Sequence, residues 1–176
     1  MSSTLSASKR VALAATLLSM AICASLLDTS LQTYFQTMPF LRLGLSNIFV
    51  LLGVLLLPVS EALLIATGKV LLPGIILGNL GPSFLLAATG TAFSFLVMLI
   101  TRKKSSIYFI SQSGAIFHNL GQFIALSFVL PEAVTPGMLR LLLLSSIPGG
   151  IIVAACTYLV LYRAEVFLES SLPDTL

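Results

Sequence analysis

The length, composition and charge of this chain exclude most classes of soluble protein. Of its 176 residues, 57% are hydrophobic and 9% are charged, and the mean hydropathy of +1.09 is far above that of soluble domains. The net charge of +3 reflects a shortage of acidic residues and not a basic tract, which argues against a nucleic-acid partner. We therefore expect residues 1–176 to form a single integral membrane domain in contact with the lipid bilayer.

The first predicted element is an apolar run over residues 11–27, which follows Lys9 and Arg10. A signal peptide begins in a similar way, but its apolar core is usually about 7 to 15 residues long and is followed by a small-residue cleavage site. This run is longer and no clear site follows it. We therefore predict a retained first helix.

Small residues recur at four-residue spacing along one side of this first helix. The pattern pairs Ala12 with Thr16 and Ala15 with Ser19. Residues four apart lie on one face of a helix, and small side chains there let another helix approach closely. The pattern predicts a helix contact on this face, either within the chain or with a partner protein.

Five further apolar stretches follow, each ended by charge, proline or glycine. They cover residues 43–57, 62–77, 83–100, 107–130 and 138–162. Pro73 and Gly74 interrupt the third predicted helix, and a break there would free backbone groups to line a cavity. The sequence thus predicts an all-α membrane protein, a compact bundle of six transmembrane helices.

Positive charges cluster at three points that are separated by even numbers of predicted helices. Lys9-Arg10 precedes the first helix, Arg102-Lys103-Lys104 follows the fourth and Arg163 follows the sixth. Because cytoplasmic loops retain lysine and arginine, both termini are predicted to be cytoplasmic in a multi-pass protein of the cell membrane. The segment from Asp28 to Phe40 is then the longest outward loop, which either covers a pocket or forms an interfacial aromatic belt.

The fifth predicted helix carries the richest set of polar and small residues. Gly114, His118 and Gln122 follow one another at four-residue spacing, with Gly121 and Asn119 beside them. These residues could contact a ligand, or they could mediate ordinary helix packing. No Cys, Asp or Glu lies near His118 at ligand spacing, so we expect neither a metal site nor a catalytic triad.

Three cations lie in the outer half of the predicted bundle, and Arg140 begins the sixth helix there. The two nearest the presumed pocket are Arg42 at the start of the second helix and Lys69 within the third. Glu61, the acid nearest to Lys69 in sequence, is about 12 Å away along a helix. Asp28 could fold back onto Arg42. An unpaired cation at membrane depth is costly, so these residues favour an anionic ligand, unless their side chains extend to the lipid headgroups.

Several segments together resemble one family of membrane proteins, the Gx transporter family, also labelled heptaprenyl diphosphate synthase component I. They are Arg42 to Ile48, Glu61 to Leu64, Ser83 to Leu86, Ser94 to Met98 and Gly114 to Gln122. The order and spacing of these segments cover most of the chain between Asp28 and Gly150. The segment from His118 to Gln122 is the most specific.

The family in turn is similar to the substrate-binding components of energy-coupling factor transporters. The resemblance implies six helices, cytoplasmic termini and the capture of a small vitamin-like or isoprenoid-related solute from outside. It also implies a transmembrane coupling protein and two cytoplasmic ATPases as partners, contacted through an Ala-x-x-x-Ala ridge on the first helix. Here the ridge is approximate and comprises Ala12, Ala15, Thr16 and Ser19.

The synthase label implies chemistry that the sequence does not carry. Prenyl chain elongation normally uses DDxxD motifs to hold magnesium and diphosphate, whereas this chain has six acidic residues and no adjacent pair. It also lacks a GxxxxGK[ST] loop for ATP hydrolysis. We therefore predict a protein without enzymatic activity or cofactor, and as the alternative a non-catalytic membrane subunit associated with heptaprenyl diphosphate synthesis. The candidate ligand contacts are Arg42, Asn47, Lys69, His118, Asn119 and Gln122.

Overall fold

The computed structural model describes residues 6–35 and 44–171. This part of the chain forms six α-helices and one short 3-10 turn, and it contains no strand. The all-α class predicted from the sequence is confirmed. The elements are α1 (Ala7–Phe35), α2 (Ser46–Leu56), α3 (Val59–Ile76), α4 (Pro82–Thr101), α5 (Ile107–Val129), the 3-10 turn (Pro131–Ala133) and α6 (Pro136–Ser171).

Four of the helices in the described ranges, α1, α3, α4 and α6, are long and apolar enough to cross a membrane. The protein is therefore a multi-pass membrane protein. The helix α2 is apolar but has 11 residues, about 16 Å at the usual rise, which is short of the roughly 30 Å hydrocarbon core. The helix α5 has 23 residues and carries the polar stripe noted in the sequence.

The helix α1 is longer than the sequence pattern indicates. It continues past residue 27 to Phe35, so the segment that begins at Asp28 is helical over its first part, and Gln36 to Phe40 lie outside the described residues. The hydroxyls of Thr29 and Ser30 each donate to a carbonyl one turn earlier, at 2.9 Å. These two hydroxyls are therefore hydrogen-bonded within the helix as it continues through this polar segment.

The helix α3 agrees with the predicted range 62–77 to within about one turn, and it runs through Pro73 without the break considered there. It ends at Ile76, two residues before Gly78, which adopts the left-handed conformation with φ 62°. The N–H of Asn79 donates to the Gly74 carbonyl at 2.9 Å, and that of Gly78 donates to Ile75 at 3.1 Å. These two hydrogen bonds form the Schellman motif, which commonly terminates helices at glycine.

The short helix α2 lies at the centre of the bundle. It packs against α1, α3, α4 and α6, while the other helices surround it in the order α1, α3, α4, α5, α6. Leu51, Leu52 and Val54 are each at most 2% exposed. A helix that is apolar on all sides is stable only when it is buried, which explains its central position.

The helices α4 and α5 cross at very short distance through glycines. A Cβ atom on Gly121 would lie 2.8 Å from the carbonyl oxygen of Thr89 and 3.0 Å from Cα of Gly90. A Cβ atom on Gly90 would lie 2.8 Å from the carbonyl oxygen of His118. Neither glycine can be replaced without moving backbone, so both are required for this packing.

Two of the predicted cationic clusters lie at the same end of the bundle. Arg10 forms an ion pair with Glu61 in the first turn of α3, at 3.9 Å. Arg102 donates to the carbonyl oxygen of Val54 at 3.4 Å. That carbonyl has no helical donor four residues on, because the residue there is Pro58, so Arg102 satisfies it from α4's end.

Candidate solute-binding cavity

A cavity of about 460 Å³ lies between the first four helices, and α5 contributes one side chain to it. It is lined by the last part of α1, the first turn of α2, the last turns of α3 and the first turns of α4. Asp28, one of its wall residues, lies about 27 Å along α1 from Arg10 at 1.5 Å per residue. The cavity is therefore at the end of the bundle opposite the cationic clusters.

The cavity wall contains a buried cation, Lys69, which is 3% exposed. Its Nζ donates to Oδ1 of Asn47 and to the hydroxyl of Ser46, the latter at 3.5 Å. Ser46 and Asn47 form the first turn of α2, which begins after Gly44 with φ 72°. The ammonium group is thus held at the N-terminus of the central helix.

A carboxylate lines the same cavity. Asp28 is 6% exposed and lies on the wall formed by α1, together with Ser25 and Thr29. In its own helix Lys69 has no acid close by, which in the sequence favours an anionic ligand. Because α1 stays helical beyond residue 27, the fold brings Asp28 to the cavity, which therefore contains both signs of charge.

The helix α5 contributes His118 to the cavity wall. The Nε2 amide nitrogen of Gln122 lies 3.3 Å from Nε2 of His118 and donates to it in the tautomer that carries the ring proton on Nδ1. Gln122 is 5% exposed and is not among the cavity-lining residues. Its place is behind the histidine, where it can orient the ring toward the cavity.

Asn119 has a different place from His118. Its amide nitrogen donates to the carbonyl of Leu142 and, at 3.2 Å, to the hydroxyl of Ser145, both on α6. Two further α5 side chains bond in the same way, Ser111 to the Gly150 carbonyl at 2.8 Å and Gln112 to that of Ser146 at 3.1 Å. This side of α5 is a packing surface for α6.

The structure therefore brings three of the predicted ligand contacts together and separates the others. Asn47, Lys69 and His118 line the cavity, whereas Asn119 and Gln122 do not. Arg42 lies outside the described residues. Gly114 and Gly121 face α4, where a Cβ on Gly114 would collide with the end of the Met98 side chain.

Sequence reasoning missed several wall residues that carry a recognisable signal. On α4, Ser83, Ala87 and Thr91 all line the cavity. They recur at four-residue spacing, so they form one small, polar face of that helix. On α1, Ser25 and Asp28 show the related three-residue spacing. Both spacings are visible in the sequence, so these polar faces of α1 and α4 were predictable in the same way as that of α5.

The N-termini of two helices also meet the cavity. Ser46 is in the first turn of α2, Ser83 is in the first turn of α4, and neither helix has a side-chain cap. The first N–H groups of a helix lack helical partners and lie at the positive end of its dipole. The N–H groups of Asn47 and Phe84 already donate to the carbonyls of Gly44 and Gly81, so these ends favour an anionic group in the cavity through their dipoles.

The predicted ridge on α1 lies on the outer surface of the bundle. Ala12, Ala15, Thr16 and Ser19 are all exposed, while the buried face of α1 contains Ala14, Leu17 and Ala21. The Thr16 hydroxyl donates to the Ala12 carbonyl at 2.9 Å, and the Ser19 hydroxyl to that of Ala15 at 2.8 Å. Within the described ranges no helix covers this ridge, and its hydroxyls are already bonded.

Comparison with known proteins identifies one family. The family model described as heptaprenyl diphosphate synthase component I, a family also called Gx transporter, matches residues 17–160. No curated protein and no solved structure matches the chain. The matched range begins in α1, ends in α6 and contains every described wall residue of the cavity. Since it covers most of the chain, this protein belongs to the heptaprenyl diphosphate synthase component I family.

Proposed function

We propose that this protein is the substrate-binding membrane component of an energy-coupling-factor-type importer and that it captures a small solute in the cavity. The observation that carries the proposal is the buried Lys69 ammonium, held by Ser46 and Asn47 on the wall of a 460 Å³ cavity. Ligand pockets commonly measure about 300 to 1,000 Å³. Ionisable residues at membrane depth are costly and are usually retained for function.

The electrostatics of the cavity restrict the solute. Lys69 and the N-termini of α2 and α4 favour a carboxylate or phosphate group, and Asp28 favours a hydrogen-bond donor or cation. A lysine that extends to the lipid headgroups would expose its ammonium at the surface, but Lys69 is 3% exposed. We infer a small metabolite with an anionic group and at least one donor, as many vitamins have.

The proposal is tested by the small molecules that the protein retains through gentle purification. Mass spectrometry of extracts should find one compound with wild type and with the matched variant Arg140→Gln, whose exposed cation does not line the cavity. Lys69→Gln should retain at least about tenfold less, because removing one partner of a buried charged contact typically costs about 2 to 5 kcal/mol. Equal retention by Lys69→Gln, with an unchanged elution volume, would contradict the proposal.

Import from outside requires that the cavity face outward. The cationic end of the bundle, marked by Arg10 and Arg102, would then be cytoplasmic. In a variant without Cys23 and Cys156, an impermeant thiol reagent should label Thr135→Cys in sealed cells and should not label Ser105→Cys. The opposite labelling pattern would place the cavity on the cytoplasmic side and exclude capture from outside.

The exposed ridge on α1 is the proposed contact with a transmembrane coupling protein, which would in turn bind two ATPases. Small side chains with internally bonded hydroxyls allow a partner helix to approach without leaving a polar group unpaired. Ala15→Trp should therefore reduce co-purification of partner proteins. Leu144→Trp, at a 62% exposed position on α6, is the matched control and should not. Equal recovery of partners with both variants would exclude the ridge as the contact.

The family name supports a second candidate, a non-catalytic membrane subunit associated with heptaprenyl diphosphate synthesis. In that case the catalytic residues belong to another chain, and this protein would anchor or assist it. Mass spectrometry of co-purified proteins separates the two functions. A coupling protein with ATPases supports import, whereas a prenyl synthase recovered in fixed ratio supports the alternative.

A further inference from the structure

An apolar groove of about 240 Å³ lies between α3 and α4, next to the cavity. It opens on the surface that faces lipid, where Leu63 and Leu71 are each 47% exposed. The Thr67 hydroxyl on its wall donates to the Leu63 carbonyl at 2.9 Å, so this polar group is already bonded. The groove therefore offers an apolar surface to whatever occupies it.

The groove and the cavity are adjacent. Val70, Phe84 and Thr91 line both of them, so these three side chains form the wall between the apolar space and the charged one. Along α3 the groove extends from Leu63 to Leu71, which is about 12 Å at the helical rise. It is thus a narrow apolar groove that begins beside the cavity, runs along the helices and is open to the lipid.

The width of the groove is set by alanines. Ala66 on α3 and Ala88 and Ala92 on α4 face it. Small residues at such positions usually allow two membrane helices to close on each other. Here they leave a groove with apolar walls. An apolar chain in this groove would gain van der Waals contacts along those walls.

We propose that the cavity and the groove together bind one amphipathic solute, whose anionic head lies in the cavity and whose single apolar chain lies between α3 and α4. This inference rests on the proposed function and names the class of solute. Lys69 and the uncapped N-termini of α2 and α4 receive the head. The opening beside Leu63 and Leu71 lets the chain enter sideways from the lipid, so the solute need not leave the membrane.

The chain contains no tryptophan, so a single introduced tryptophan reports locally on a quenching probe. The reporter is Leu71→Trp in the groove, and its matched control is Leu144→Trp on the far side of the bundle. The full-length protein is placed in nanodiscs of unbrominated lipid. The probes are dibromododecyl phosphate, which has head and chain, and dibromododecanol, which has the chain with an uncharged end.

The phosphate probe should quench Leu71→Trp saturably, at a concentration at least about tenfold below that needed at Leu144→Trp, because head and chain bind as linked groups. The alcohol should quench both positions alike. Adding Lys69→Gln or Ala92→Phe to the reporter should remove the preference. Ala155→Phe, at an exposed α6 position, is the control for Ala92→Phe and should leave it unchanged.

Equal quenching of both reporters by the phosphate probe would overturn the inference, since the groove would then hold ordinary membrane lipid. Saturable quenching that survives Lys69→Gln would also overturn it, because the chain would bind without the cavity. These results are distinct from a failure of the proposed function. If the compound retained through Lys69 is water-soluble and has no apolar chain, solute capture is supported and the amphipathic class is contradicted. If the amphipathic site is confirmed but no coupling partner co-purifies, import is contradicted and the amphipathic class is supported.

Discussion

The two sides of α4 differ in how closely the neighbouring helix approaches. Toward α5, Gly90 and Gly121 bring the backbones so near that no Cβ atom fits between them. Toward α3, alanines and short polar side chains leave a groove of about 240 Å³ and a cavity of about 460 Å³. Small residues therefore allow close helix contact on one face of α4 and leave open space on the other. The surface of the neighbouring helix determines which of the two results.

The difference indicates a division of labour within the bundle. The α4, α5 and α6 helices are joined by glycine contacts and by side-chain bonds to backbone carbonyls, such as Ser111 to Gly150. This unit can hold one wall of the cavity in place. The polar groups that could meet a solute come mainly from the other side, from Asp28, Ser46 and Lys69. Ligand contacts are thus expected on the side of α4 that faces α3, where the helices leave a cavity.

The largest effect is expected from breaking the tight side of α4. Gly121→Val would place side-chain atoms against the carbonyl of Thr89 and the Cα of Gly90, which cannot move independently. Overpacking typically costs about 1 to 3 kcal/mol, and more where backbone must shift. We expect a strongly lowered midpoint of thermal unfolding in detergent, or no folded protein. Gly137→Ala is the control, because its Cβ would meet only a Thr135 side-chain atom, at 3.8 Å. An unchanged midpoint for Gly121→Val would mean that the helices are farther apart than described.

A smaller effect separates the two asparagines that the sequence analysis grouped together. Asn119→Ala removes bonds to α6 and should lower the unfolding midpoint, with about 0.5 to 1.5 kcal/mol lost per hydrogen bond. It should leave the retained compound unchanged. Asn47→Ala, on the cavity wall, should lower retention of that compound several-fold. Thermal unfolding and mass spectrometry on the same preparations test both. Loss of the compound in Asn119→Ala at unchanged stability would show that the amide contacts the solute.

Most of the fold could be predicted from the sequence because apolar stretches of about 20 residues have few alternatives in a membrane. The ends of helices were harder to place. Pro73 and Gly74 indicate a helix end, but Pro73 is buried and the chain continues as a helix to the left-handed Gly78. A sequence pattern identifies residues able to end a helix, and tertiary packing decides which of them does.

The cavity could be predicted only in part, for a physical reason. His118, Asn119 and Gln122 are close in sequence, yet adjacent positions on a helix point in directions about 100° apart. One therefore faces the cavity, one faces α6 and one lies behind the histidine. Asp28 and Lys69 are far apart in sequence, and only the packing of α1 on α3 brings them to one cavity. Spacing gives the face of a single helix but not its partner.

The smallest effect is expected from breaking the exposed ion pair that joins α1 to α3. Arg10 on α1 pairs with Glu61 on α3 at 3.9 Å, and the two side chains are 35% and 21% exposed. Such pairs contribute about 0 to 1 kcal/mol, and salt screens them. We therefore expect Arg10→Gln to change the unfolding midpoint slightly, and the change to shrink further at high salt.

Arg102→Gln is the informative comparison, because it removes the donor to the Val54 carbonyl, which Pro58 leaves without a helical partner. Its effect should be larger and less dependent on salt, since the carbonyl of a buried residue would be left unsatisfied. If Arg10→Gln instead lowers the unfolding midpoint as much as Arg102→Gln does, the α1–α3 contact depends on this ion pair and not on apolar packing. The helices on the α3 side of α4 would then be held together by surface charge.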